Sequence, residues 1–131
     1  MKKVFLGGTC NGSKWRESLI PLLEINYFDP VVDEWTDAVQ EEEKHQREVC
    51  DYCLYVITPK MEGAYSIAEV VDDSNKRPEK TIFCFLEKDE ETSFSDYQII
   101  SLQAVRELVK KNRAIVCNSI QEVAHLLNSK S

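Results

Sequence analysis

Four apolar runs, VFL, CLYVIT, TIFCFL and AIVC, punctuate this chain, and each is followed by a stretch with helical spacing. The run Cys53–Thr58 is apolar on both faces, which is the signature of a central parallel strand. A strand buried on both sides needs helices above and below it, so the chain is restricted to an α/β architecture. Strands are expected at Lys3–Gly7, Asn26–Val32, Cys53–Thr58, Thr81–Leu86 and Ala114–Cys117. Pro30 suggests an edge position for the second strand, because it has no N–H to give to a ladder. Right-handed crossovers leave few ways to connect five such units. The expected fold is α/β: a flavodoxin-like (Rossmann-like) three-layer sandwich with a five-stranded parallel sheet of order 2-1-3-4-5. It spans residues 1–131 as a single domain.

The helices follow from capping and spacing. Ser13 is expected to cap a helix reaching Glu24, which Pro21 should kink or shorten. Thr36 caps a polar helix over Asp37–Val49, whose run Glu41, Glu42, Glu43, Lys44 and His45 reads as a solvated face. A third helix is expected near Ser66–Lys76 with Ile67, Val70 and Val71 inward, and with Asp72 and Asp73 facing solvent. An acidic loop, EKDEETSFSD, precedes a fourth helix near Leu102–Lys111. Ser119 and Glu122 form a capping-box signature that opens a fifth.

Charge and cysteine usage narrow the partners. A net charge of −7 and a pI near 4.9 argue against nucleic acid and against anionic membrane surfaces. No apolar run approaches the roughly 20 residues of a membrane span. MKKVFLGG has too short an apolar stretch for a secretory signal, so a cytoplasmic location is expected. The cysteines (Cys10, Cys50, Cys53, Cys84, Cys117) are irregularly spaced, and one CxxC pair alone falls short of the about four ligands of a zinc site. Neither a metal nor a cofactor is expected.

The ligand site of such a sheet lies beyond the strand ends where strand order reverses, here between strands one and three. Two glycine-bearing loops border it, GGTCNGS and PKMEGAYS, and both lead into helix starts. The first resembles a phosphate-binding P-loop, G-x4-G-K-[ST], with its last two letters swapped. That moves Lys14 by about 100° around the helix, and no aspartate ends the third strand to hold magnesium, so nucleotide triphosphate hydrolysis is not expected. The glycines Gly7 and Gly8 serve either to reverse the chain or to admit a ligand to the backbone, with Thr9 and Asn11 adding hydrogen bonds. Glu69 lies about one turn into the helix after strand three, beside its buried stripe. A carboxylate there either complements the helix dipole or attacks a sugar carbon. Glu62, in the same loop, is a second candidate carboxylate, and Asp29 and Asp33 follow the second strand.

The runs VFLGGTCNGSKWRESLIPLL, YFDPVVDEW and CDYCLYVITPKMEGAYSIAEVVDDSNKRPEKTIFCF resemble the nucleoside 2-deoxyribosyltransferase-like family over roughly residues 2–127. The resemblance implies a flavodoxin-like fold and chemistry at an N-glycosidic bond, with Glu69 at the position of the nucleophile. It implies a small-molecule nucleoside or nucleotide as partner, held by Gly8, Thr9 and Asn11 and oriented by Tyr65 and Ser66. Asp33 or Glu62 would bond a sugar hydroxyl or protonate the leaving base. The family pattern has a glycine where Tyr65 stands, a small residue where Val71 stands, and an aspartate in the preceding loop for which Glu62 or Thr58 is the nearest substitute. Three functions stay open: a transferase or hydrolase, a non-catalytic module that binds a nucleotide-derived ligand, and a structural or interaction protein. The resemblance also implies a homo-oligomer, with Trp35 and Tyr65 serving either as contact residues between copies or as packing residues within one.

Overall fold

The computed structural model describes residues 1–10 and 12–129. The chain runs β1 (Lys3–Gly8), α1 (Trp15–Leu19), β2 (Asn26–Phe28), α2 (Asp37–Val49), β3 (Tyr52–Ile57), α3 (Tyr65–Lys76), β4 (Thr81–Phe85), β5 (Lys88–Asp89), β6 (Thr92–Ser93), α4 (Asp96–Lys111), β7 (Ile115–Cys117) and α5 (Ile120–Ser129). Strands β2-β1-β3-β4-β7 pair in that order, all parallel, which is the expected flavodoxin-like arrangement. β5 and β6 form a separate two-stranded hairpin inside what the sequence presents as an acidic loop.

Side-chain alternation divides the core into two layers. Val4 and Leu6 of β1, Leu54 and Val56 of β3, and Ile82 and Cys84 of β4 face α1 and α5, where Trp15, Leu19, Val123 and Leu127 cover them. Phe5, Tyr55, Ile57, Phe83 and Phe85 face the other way, onto Val70 of α3 and onto Leu102 and Val109 of α4. Fully burying a side chain of this size contributes roughly 1.5–3 kcal/mol, so both helical layers are needed to hold the sheet.

Several local expectations are corrected. β2 stops at Phe28 rather than Val32, because the Asp29 side chain turns the chain by accepting the Val31 N–H at 3.0 Å and Pro30 cannot pair. Ser13 does not cap α1; its hydroxyl donates to Asp89 of the hairpin instead. Pro21 ends the helix, in a single 3-10 turn over Ile20–Leu22. Thr36 does cap α2, accepting the Val39 N–H at 3.2 Å. α4 begins at Asp96, a turn and a half before the expected start, because Ser95 and Gln98 form a reciprocal capping box. Asp73 is fully buried rather than solvent-facing.

The site end of the sheet depends on Gly8, which sits at φ 117° opposite Val56 of β3. A Cβ there would collide with the Val56 backbone in a conformation that L-residues avoid. Gly8→Ala should therefore lose about 2 kcal/mol or more in urea denaturation. Gly12→Ala, at φ 72° but with no atom near the added carbon, should lose only the conformational part, about 1 kcal/mol. Equal losses would show that close packing against β3 is not what Gly8 supplies.

Candidate functional site

β1 and β3 end side by side, and strand order reverses between them, so a crevice opens where their loops part. The crevice is a cleft of about 640 Å³. Its floor is Gly7 and Gly8 at the end of β1, and one wall is Tyr65, Ser66 and Glu69 of α3. Val31, Val32 and Trp35 of the β2–α2 connection add apolar lining. Gln40, Glu43, Lys44 and Arg47 of α2 close the remaining side. A smaller adjoining recess of about 160 Å³ is bordered by Thr9, Met61, Glu62 and Gly63 and shares Gly8, Tyr65 and Ser66 with the cleft.

The β1 exit loop is fixed from behind. Arg16 is buried and donates to the carbonyl of Leu6 at 2.8 Å through Nη2 and to that of Thr9 at 2.7 Å through Nη1. The Trp15 indole N–H donates to the same Thr9 carbonyl at 2.7 Å. Asp29 balances the Arg16 charge at 3.4 Å. The Thr9 hydroxyl accepts the Thr58 N–H at 3.0 Å, which clips the first loop to the end of β3. Thr9 is thus a brace of the recess as well as part of its border.

Arg47 organises the opposite side. Its guanidinium lies 2.8 Å from Asp73, 3.4 Å from Glu69 and 3.4 Å from Asp72, all on α3. Asp73 also accepts the Tyr55 hydroxyl and pairs with Arg77 at 2.8 Å. Burial works to lower the Arg47 pKa, but the hydrogen bonds it donates to Asp73 and the surrounding negative charge outweigh it, and the pKa is raised. Burial and the neighbouring Asp73 hold the Tyr55 phenol well above its ordinary range.

Glu69 is 6% exposed, with its carboxyl on the cleft. Burial pushes its pKa up to about 8; the charge of Glu43 and a hydrogen bond between the two carboxyls act in the same direction, against the pull of Arg47. Burial raises Glu43 as well. A carboxyl pair that shares a proton in a partly dry cleft can donate, accept or attack, depending on which oxygen keeps the proton.

The residues read from the sequence are distributed as follows. Gly7, Gly8, Tyr65, Ser66 and Glu69 meet at the cleft, and Glu62 and Thr9 lie in the adjoining recess. Asp33 is exposed and borders neither space. Asn11 lies outside the described residues. The sequence reading passed over Arg16, Gln40, Glu43 and Arg47. The last three belong to a helix taken as solvated, yet Gln40, Glu43, Lys44 and Arg47 recur at steps of three and four, the spacing by which a helix turns one face inward. That stripe was the available signal. Among the described residues, no group of three or more His, Cys, Asp or Glu side chains is placed to hold a metal ion, and no helix is long and apolar enough to cross a membrane.

The family model described as nucleoside 2-deoxyribosyltransferase like matches residues 1–88, which carry β1 through β4 and all the cleft side chains named above. No curated protein matches the chain.

The proton held by Glu69 has a consequence for stability. Its folded pKa lies above the roughly 4.3 of an unfolded glutamate, so the fold binds the proton more tightly than the unfolded chain does. This group's contribution is intact below about pH 4 and is lost as pH rises towards about 8. Glu69→Gln, which stays neutral at every pH, should leave stability nearly unchanged at about pH 4 and raise it by roughly 1–3 kcal/mol at about pH 8. Urea denaturation at the two pH values measures this, and a variant less stable than the parent at the higher pH would contradict a buried, protonated Glu69.

Proposed function

The chain belongs to the nucleoside 2-deoxyribosyltransferase-like family, and from that premise we propose that it cleaves or transfers at the N-glycosidic bond of a small nucleoside or nucleotide, with Glu69 as nucleophile. The observation that carries this is the position of Glu69. It is a buried carboxyl on the first turns of α3, directed at a cleft large enough for a nucleoside, at the strand-order switch of an open α/β sheet. Attack by its ionised form on the sugar carbon would give a covalent glycosyl-enzyme, which water or a second base then resolves.

The surrounding residues take roles by position. Gly7 and Gly8 let the sugar lie against the backbone at the end of β1. Ser66 and Tyr65, on the same helix turn as the nucleophile, orient the sugar. Glu62 and Thr9 border the recess beside them and suit a sugar hydroxyl or the group beyond it. Asp33, exposed beyond the cleft, would reach only ligand atoms that protrude from it. Asn11, which follows Thr9 and Cys10 in the sequence, is assigned to ligand binding by the family resemblance alone. Val31, Val32 and Trp35 offer an apolar surface for the flat base. Trp35 and Tyr65 are 55% and 67% exposed, so they suit either a stacked base or a neighbouring copy of the chain.

One observation favours a second function, a binding module without turnover. Burial and Glu43 keep Glu69 protonated near neutral pH, whereas a nucleophile must be ionised. Such a module would hold its ligand in the same cleft and release no base.

Incubation with a panel of deoxynucleosides, ribonucleosides and their monophosphates, followed by mass spectrometry of free bases and intact protein, separates the two. The enzyme is expected to release base from at least one compound and to carry a transient sugar adduct. Glu69→Ala should remove both while ligand still binds. Ligand binding by the parent protein with no base released would replace catalysis by the sensor function.

A further inference from the structure

We propose that the outer face of α4 is a docking surface for a second copy of this chain, the two helices lying antiparallel about a two-fold axis. Among the described residues, no side chain of α4 borders the cleft or the recess. Pairing through α4 is therefore independent of any chemistry at Glu69.

α4 is apolar on two opposite sides. Its inner side buries Leu102 and Val109 against the sheet layer. On the outer side Tyr97, Ile100, Ala104 and Leu108 recur at steps of three and four, which sets them in one stripe along the helix. Tyr97 is 86% exposed, Ile100 61% and Leu108 47%, and Ala104 is exposed as well. A solvated helix keeps its apolar residues on the core side, so a second apolar face calls for a second element to cover it.

Charge names the occupant. α4 begins at Asp96 and ends at Lys110 and Lys111, so acidic and basic groups stand at opposite ends of the stripe. At about 100° per residue, all three fall on the same flank of it. In an antiparallel two-fold pair, like flanks meet. An axis midway between Ile100 and Ala104 and their neighbours sets Tyr97 against Leu108 of the second copy and Ile100 against Ala104. It also sets Asp96 against Lys110 and Lys111, and every contact occurs twice. Among the described residues, Asp96, Lys110 and Lys111 form no ion pair within the chain. Each copy carries a net charge of −7, so two copies repel unless opposite charges meet where they touch. A uniformly acidic or basic partner would satisfy only one end of the stripe. The terminal charges also suit the dipole of α4 itself, but that leaves the apolar residues between them unexplained. One helix face is smaller than the roughly 800 Å² per partner of a standard interface, so the pair forms in the micromolar range.

Sedimentation of the full chain over about 1–500 µM tests the pairing. The parent should pass from monomer to dimer across that range. Ile100→Lys should weaken association at least about tenfold, with the circular dichroism spectrum of the monomer unchanged, because the side chain lies outside the core. Asp96→Lys alone, and Lys110→Glu with Lys111→Glu, should each weaken self-association. Mixing these two charge variants should restore a dimer, since the mixed pair has opposite charges facing each other at both ends. A misfolded variant would not be rescued in this way. A parent that stays monomeric throughout would overturn the pairing and leave the stripe to a different protein. Association that Ile100→Lys does not weaken would place the interface elsewhere. A mixture that stays monomeric while each variant is folded would rule out the antiparallel arrangement.

Discussion

The position of α2 depends on Arg47. The residues that this helix buries are Gln46 and Arg47, and Val49 at its end is exposed, so no apolar stripe fastens it to the sheet. Its attachment is a guanidinium set among Asp73, Asp72 and Glu69 of α3. Buried charges are tolerated only when paired, and removing one member of such a pair costs about 3–5 kcal/mol because the others are left uncompensated. The cleft therefore exists because α2 is held by charge. A conventional apolar contact along α2 would fill the space in which Glu43, Arg47 and Glu69 now meet.

The same arrangement places stability and chemistry in opposition. Glu69 has the acidic groups Glu43 and Asp73 beside it, and Arg47 is the cation paired with it. An ionised Glu69 is disfavoured in the fold, which makes it a reactive species when it forms and a stability cost at alkaline pH. Asp73 takes most of the compensation, since Tyr55, Arg47 and Arg77 all converge on it. Bonded to all three, it anchors the guanidinium beside Glu69.

The sheet was legible because its central strands are apolar on both faces and the stretches between them carry helical spacing. Order 2-1-3-4-5 followed from Pro30 and the handedness of crossovers, although Pro30 itself lies past the end of β2. The nucleophile candidate was legible from the start of α3. What escaped was polar burial. Asp73 and the α2 stripe look like surface when each residue is judged by its own hydropathy, and only their mutual pairing explains their burial. The hairpin escaped for a related reason: β5 and β6 are two residues each, and Glu90 at φ 55° supplies a turn that its residue type does not advertise.

That hairpin reaches back to both ligand-side loops. Asp89 accepts the Ser13 hydroxyl from the β1–α1 loop, and Glu90 pairs with Lys60 from the β3–α3 loop. The family-matched stretch ends at residue 88, immediately before these two carboxylates. The unit that carries the inherited signature is therefore shorter than the unit that holds the pocket in shape. Relatives that share the first could differ in how tightly their two loops are moored, and hence in which ligands they admit, without any change among the residues that touch the ligand.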